Sequence, residues 1–231
     1  MATPQQIHAA LVGYPRQLSW DDFRTVDRPP NDEPYDASIS PSFRITRFGI
    51  AWGGSHGSYI YNPQVTVTLD PSATWAIAGA RRQKALLEHE QGHLDIVGLV
   101  ARDLAVKLLD MHLDKTRLQA EFNNPVAFDV RTRRINALWD VAMTEAMNRA
   151  VALMNKLQNR GIGETSLYDL DTKHGADRGG QKDWDKLLRH VKQTNANFEK
   201  TLIERDMIDS QPLSGHRATV RPAAAPVRAG L

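Results

Sequence analysis

His89, Glu90 and His93 stand in the stretch LLEHEQGHLDIVGL, residues 86–99: two imidazoles four positions apart, with a carboxylate directly after the first. On a helix, positions i and i+4 lie on one face, close enough for both imidazoles to bind one zinc ion. Glu90 falls about 100° round the axis, beside such a metal rather than on it. A carboxylate there can take a proton from water and return it to a leaving amine, while the metal polarises the scissile carbonyl. Leu86, Ile96, Val97, Val100 and Leu104 project to the same side as the two histidines. That side is therefore expected to face the core and to hold the metal in a semi-buried cleft.

A catalytic zinc needs a third protein ligand and keeps one position open. The extended pattern H-E-x-x-H-x-x-G-x-x-H fails, because Ile96 takes the glycine position and Leu99 the last histidine position. Asp95 lies about 200° round from His93 and reads as a group facing solvent or supporting the site from behind. Asp103 is on the right face but about 15 Å along the axis, which is too far. The remaining donors are Glu145, in a later helical stretch, and Asp171 or His174, in the Gly- and Asp-rich segment IGETSLYDLDTKHGADRGGQ. Within it YDLDTKHG groups a tyrosine, two aspartates, a threonine and a histidine before a glycine, company that suits a site better than a spacer. His8 and His216 lie near the chain ends, His56 in a turn, and His112 and His190 at or in helices; each reads as a surface histidine.

The elements that must position these groups are legible in the hydrophobic period. Residues 1–36 read as a mostly irregular lead-in with one amphipathic patch, LSWDDF. SFRITRFGIAW and YIYNPQVTVTLD alternate as strands within about 37–70, joined through GGSHGS as a hairpin. From about residue 79 the period becomes helical, with helices expected over about 79–111, 115–122, 131–161 and 181–205 and a loop of about twenty residues before the last. Residues 209–231 have the Pro, Ala and Arg content of a disordered basic tail. The expected fold class is α+β: a short N-terminal antiparallel sheet packed on a bundle of long helices, with H-E-x-x-H on the first long helix of a single domain over 37–208.

Composition narrows the function classes. With 231 residues, 41% of them hydrophobic, the chain is long enough for one good core. The net charge is only +2 and no basic stripe interleaved with aromatics is visible, so a nucleic-acid partner is not expected. The absence of cysteine excludes a disulfide framework, thiolate-bound zinc and thiol catalysis. No run of about eighteen apolar residues points to a membrane, and no Sec-type signal opens the chain as written, so a soluble, cytoplasmic protein is the expectation.

ALLEHEQGHLDI, with LSWDDF upstream and YDLDTKHG and Trp184 downstream, resembles the bacterial proteins described as secreted zinc-dependent proteases, domain-of-unknown-function family 922. The resemblance runs from about Leu18 to Trp184. It implies a zincin-like metallopeptidase with one catalytic zinc, His89 and His93 as ligands, Glu90 as general base, and a peptide or protein as substrate. Carried over position by position, it puts the third ligand at His174 and a tyrosine at Tyr168, whose hydroxyl would donate to the tetrahedral oxyanion. It also raises export as an alternative location. By the same analogy QVTVTLD, around Val67, is expected to be an edge strand that pairs with extended substrate. Two other readings stand beside the enzyme: a non-catalytic metal-binding module on the same histidines, and a metal-free helical interaction protein using its basic tail.

Overall fold

The computed structural model describes residues 2–53, 57–123, 126–158 and 166–209. Thr3 opens the first helix, α1 (Pro4–Ala10): its hydroxyl accepts from Gln6 N while the Gln6 side chain accepts from the Thr3 N–H. Two donors at the helix start are thus satisfied reciprocally, and Pro4 sits where its missing N–H costs nothing. There follow β1 (Leu11–Val12), β2 (Arg24–Val26), β3 (Ala37–Ser38), β4 (Pro41–Gly53), β5 (Gly57–Leu69) and β6 (Trp75–Ile77). The helical half comprises α2 (Lys84–Leu109), the short β7 (His112–Leu113), α3 (Lys115–Asn123), α4 (Phe128–Gln158), α5 (Leu167–Thr172), α6 (Arg178–Thr194) and α7 (Phe198–Glu204).

The expected hairpin is present: β4 and β5 run antiparallel, with Pro41 opposite Leu69 and Gly53 opposite Gly57. Val65 and Val67 point inward with Phe43 and Ile45, while the outer face carries hydroxyl pairs, Ser42 with Thr68 at 3.2 Å and Thr46 with Thr66 at 2.8 Å. The α+β class holds, but the sheets are mixed rather than antiparallel. β1 lies parallel to β5, Leu11 opposite Val65, and a second sheet of order β2-β6-β3 joins β2 to β6 in parallel. The lead-in is therefore built into both sheets, and Tyr14, Leu18 and Phe23 are buried in the core. Strands of two or three residues carry no readable period; what defines them is the partner they pair with. The same pairing overturns the edge-strand expectation: β5 has β4 on one side and β1 on the other, so the backbone around Val67 is not free for a substrate.

α2 lies on β4 and β5, and α1, α4, α6 and α7 pack around it. Ile96, Val97, Leu99, Val100, Ala101, Leu104, Ala105 and Leu108 are all nearly inaccessible, so the helix is buried on every side instead of along one stripe. Asp95 is consequently buried, not solvent-facing; it accepts from Tyr14 Oη at 3.2 Å, Gln91 Nε2 at 3.2 Å and Lys192 Nζ at 2.6 Å. The expected twenty-residue loop contains α5 and the start of α6, and the expected last helix breaks at Asn195, which is left-handed (φ 53°), before Asn197 caps α7. The tail from residue 210 onward, with His216, and the turn containing His56 lie outside the described residues. Among the described residues no helix is long and apolar enough to cross a membrane.

Two glycines separate packing from propensity. A Cβ on Gly98 of α2 would stand 2.3 Å from the Tyr14 ring, whereas one on Gly79 meets nothing within 4 Å. Helix propensity alone favours alanine at 98 by about 1 kcal/mol, but overpacking costs about 1–3 kcal/mol. Gly98→Ala should therefore lower the urea midpoint, and Gly79→Ala should leave it unchanged or raise it slightly.

Candidate metal centre

His89 and His93 occupy successive turns of α2, both almost fully buried, with Nε2 atoms 3.2 Å apart. The third donor arrives on α5. Ser166 caps that helix: its Oγ accepts from Asp169 N at 2.9 Å and donates to Asp169 Oδ2 at 2.6 Å. This leaves Asp169 Oδ1 turned to the histidines, 3.2 Å from His89 Nε2 and 3.1 Å from His93 Nε2. Among the described residues, His89, His93 and Asp169 form the group of mutually close donors that could hold a metal ion. Burial pushes the His93 imidazole down, against the pull of Asp169 and Glu90, towards the neutral form that metal binding requires.

Proton placement shows why a cation fits. His89 Nδ1 faces Gln181 Oε1 at 3.2 Å and Thr172 Oγ1 at 3.4 Å. The single Thr172 hydroxyl proton goes to Tyr168 O at 2.7 Å, so both neighbours of Nδ1 present lone pairs to it. Nδ1 must then carry the ring proton, and Nε2 turns a lone pair towards Asp169 Oδ1. That oxygen is buried and accepts no hydrogen bond. A proton on His93 Nε2 satisfies at most one of its two neighbours; a dication placed among the three satisfies all of them. Their separations of 3.1–3.2 Å agree with the roughly 3.3 Å edge of a tetrahedron with bonds of about 2.0 Å, as zinc uses with His and Asp.

The other residues singled out in the sequence fall at different distances from this group. Glu90 is buried beside it, with Oε2 accepting from Ile39 N at 3.1 Å, just past the edge strand β3. His174 follows α5 in a left-handed turn of three residues, Lys173, His174 and Gly175 (φ 48°, 54° and 80°). Gly175 serves the turn doubly: its φ suits glycine, and a Cβ there would stand 3.0 Å from His89 Cβ. The turn sets His174 Nδ1 3.2 Å from Asp169 Oδ1 and its ring 4.2 Å from Tyr35. His174, about a third exposed, thus abuts the acidic donor from outside the mutually close group.

Tyr168 is fully buried. Its ring stacks on His89 at 4.9 Å, its hydroxyl donates to His89 O at 3.1 Å and accepts from Gln181 Nε2 at 2.8 Å, and burial raises its phenol above the ordinary range. It braces the backbone of His89. Asp171 Oδ2 accepts from Trp184 Nε1 at 3.0 Å, and Glu145 is exposed on α4. Neither joins the group. Asp169, the donor that sequence reasoning missed, carried one signal: Ser166-x-x-Asp169 is the spacing of a capping box.

Chelator-competition titration with zinc gives a graded prediction. Asp169→Ala and His93→Ala should abolish stoichiometric binding, while His174→Ala and Tyr168→Phe, which only touch donors, should weaken it by about 10–100-fold. Glu145→Ala should change nothing; a loss there would move the third donor to α4. No family model, no curated protein and no solved structure matches the chain, so the donor group itself is the ground for a functional reading.

Proposed function

We propose that the chain is a zinc-dependent endopeptidase of the H-E-x-x-H type, acting on a peptide or protein, with a zincin-like arrangement of its site. The observation that carries this reading is the buried Glu90 carboxylate immediately beside ligand His89, held by one backbone N–H. A hydrolytic site requires a carboxylate there as general base, and its bond to Ile39 N holds it in place. The likeness of the H-E-Q-G-H and T-K-H-G blocks to family 922 supports the same reading.

His89, His93 and Asp169 would hold the metal, three protein donors leaving one position for water or substrate. Bound there, zinc supplies Lewis acidity, polarising the scissile carbonyl and acidifying water near neutral pH. Glu90 takes the proton from the attacking water as the new C–O bond forms, then delivers it to the amine nitrogen as the C–N bond breaks. Tyr168 and Gln181 keep His89 in position. His174, partly exposed next to Asp169, stands where a substrate would meet the site.

One observation favours a second reading, a structural metal module: all three donors are nearly inaccessible to solvent. The same experiment separates the two. Glu90→Gln retains an acceptor for Ile39 N and should keep both fold and zinc. Casein or peptide cleavage should fall by at least about 10²-fold. Zinc retained with no cleavage by either protein would favour the structural module.

A further inference from the structure

We propose that Asp185 on α6 is a positioning residue for His89: acting through the Gln181 amide, it dictates which imidazole nitrogen carries the proton. The proposal rests on the reading of His89 as a metal ligand. Gln181 places Oε1 3.2 Å from His89 Nδ1, while Nε2 donates to Tyr168 Oη at 2.8 Å and to Asp185 Oδ1 at 2.9 Å. Both amide protons and one oxygen lone pair are thereby used.

The alternative is the amide rotated by half a turn, with nitrogen against His89 and oxygen against Asp185. Tyr168, whose proton goes to His89 O, favours the nitrogen, but its hydroxyl can rotate to donate to an oxygen instead and so does not lock the amide. Neutral imidazole does not lock it either, because it offers a donor in one tautomer and an acceptor in the other. Asp185 does. As a carboxylate it only accepts, so the rotated amide would set oxygen against oxygen at the spacing of a hydrogen bond and forfeit a charge-assisted bond. With the amide locked, Oε1 demands the proton on Nδ1, and Nε2 is left free to bind a metal. Thr172 Oγ1 favours the same tautomer, but at 3.4 Å it lies beyond the ordinary N–H···O range and is the weaker influence. Asp185 follows Gln181 by one helical turn on the same face of α6, so the relay is built into one rigid element.

The test is Asp185→Asn, which keeps the volume but lets residue 185 donate. Long-range 1H–15N correlation spectra of the metal-free, histidine-labelled protein read the tautomer directly. Wild type should show His89 wholly as Nδ1–H, the variant a mixture or the Nε2–H form, with zinc affinity in chelator competition about 10–100-fold weaker. Asp183→Asn, an exposed neighbour paired with Lys186, should change neither. Adding Gln181→Glu to Asp185→Asn should restore both, since a carboxylate accepts from Nδ1 in either orientation. Asp185→Ser, whose hydroxyl imposes no preference, reads the same tautomer if the amide variant folds poorly. A folded Asp185 variant that stays wholly Nδ1–H overturns the proposal. The expected tautomer change in a protein that takes up no zinc upholds the control of His89 by Asp185 and overturns its reading as a metal ligand.

Discussion

His89 Nε2 and Asp169 Oδ1 face each other 3.2 Å apart among nearly inaccessible side chains, and His93 Nε2 lies within the same distance of both. A buried carboxylate oxygen without a partner costs several kcal/mol, and a proton on His93 Nε2 would serve only one of the two atoms beside it. Apart from His174, whose Nδ1 lies 3.2 Å from Asp169 Oδ1, the polar groups around the three atoms are turned outward. Thr172 gives its proton to Tyr168 O, Tyr168 gives its own to His89 O, Gln181 sends both amide protons away from the histidines, and Ser166 binds the other oxygen of Asp169. The surroundings therefore leave these electron pairs unmet, an arrangement that a cation could complete.

That arrangement also explains why the carrier of the histidines is the central helix. Two imidazoles one turn apart are only as fixed as the backbone beneath them, and α2 is clamped from every direction by sheet and helices. Even its polar residues are used for clamping. Gln91 accepts from Leu18 N at 2.7 Å and Asp95 bonds Tyr14, so the first twenty residues are tied to the helix within one turn of the site. Lys192 reaches Asp95 from α6, the element that also bears Gln181. The N-terminal segment and α6 thus brace the same stretch from opposite ends of the chain.

The histidine helix and the β4–β5 hairpin were legible in the sequence because each is long and periodic. H-E-x-x-H, the alternation of Val65 and Val67 with threonines, and the helical period after residue 79 all survive in the fold. The third donor was not legible for a local reason. Read as a loop, SLYDLDTKHG leaves every donor free to reach a metal, and the histidine before a glycine is the most conspicuous. Folded as α5, the same residues have fixed directions: the Ser166 cap turns Asp169 inward, Asp171 one turn-half away meets Trp184, and the left-handed turn carries His174 to the outer side of Asp169. Of the two readings open for Asp95, facing solvent or supporting the site from behind, burial removes the first: a helical wheel shows which residues share a face but not how many faces are covered. β1 and β2 were hidden because strands this short are specified by their partners.

α5 has only six residues, far below the length at which a helix persists alone in water. It survives because Tyr168 is packed between His89 and Trp184, which is to say because α2 and α6 are both already in place. The two histidines and Asp169 therefore rest on different supports. The imidazoles stand on a long helix seated on the hairpin, whereas the direction of the acidic side chain, some eighty residues along the chain, depends on contacts with two other helices. Loosening α6 would therefore strip the group of its acidic member while leaving the two histidines where they are.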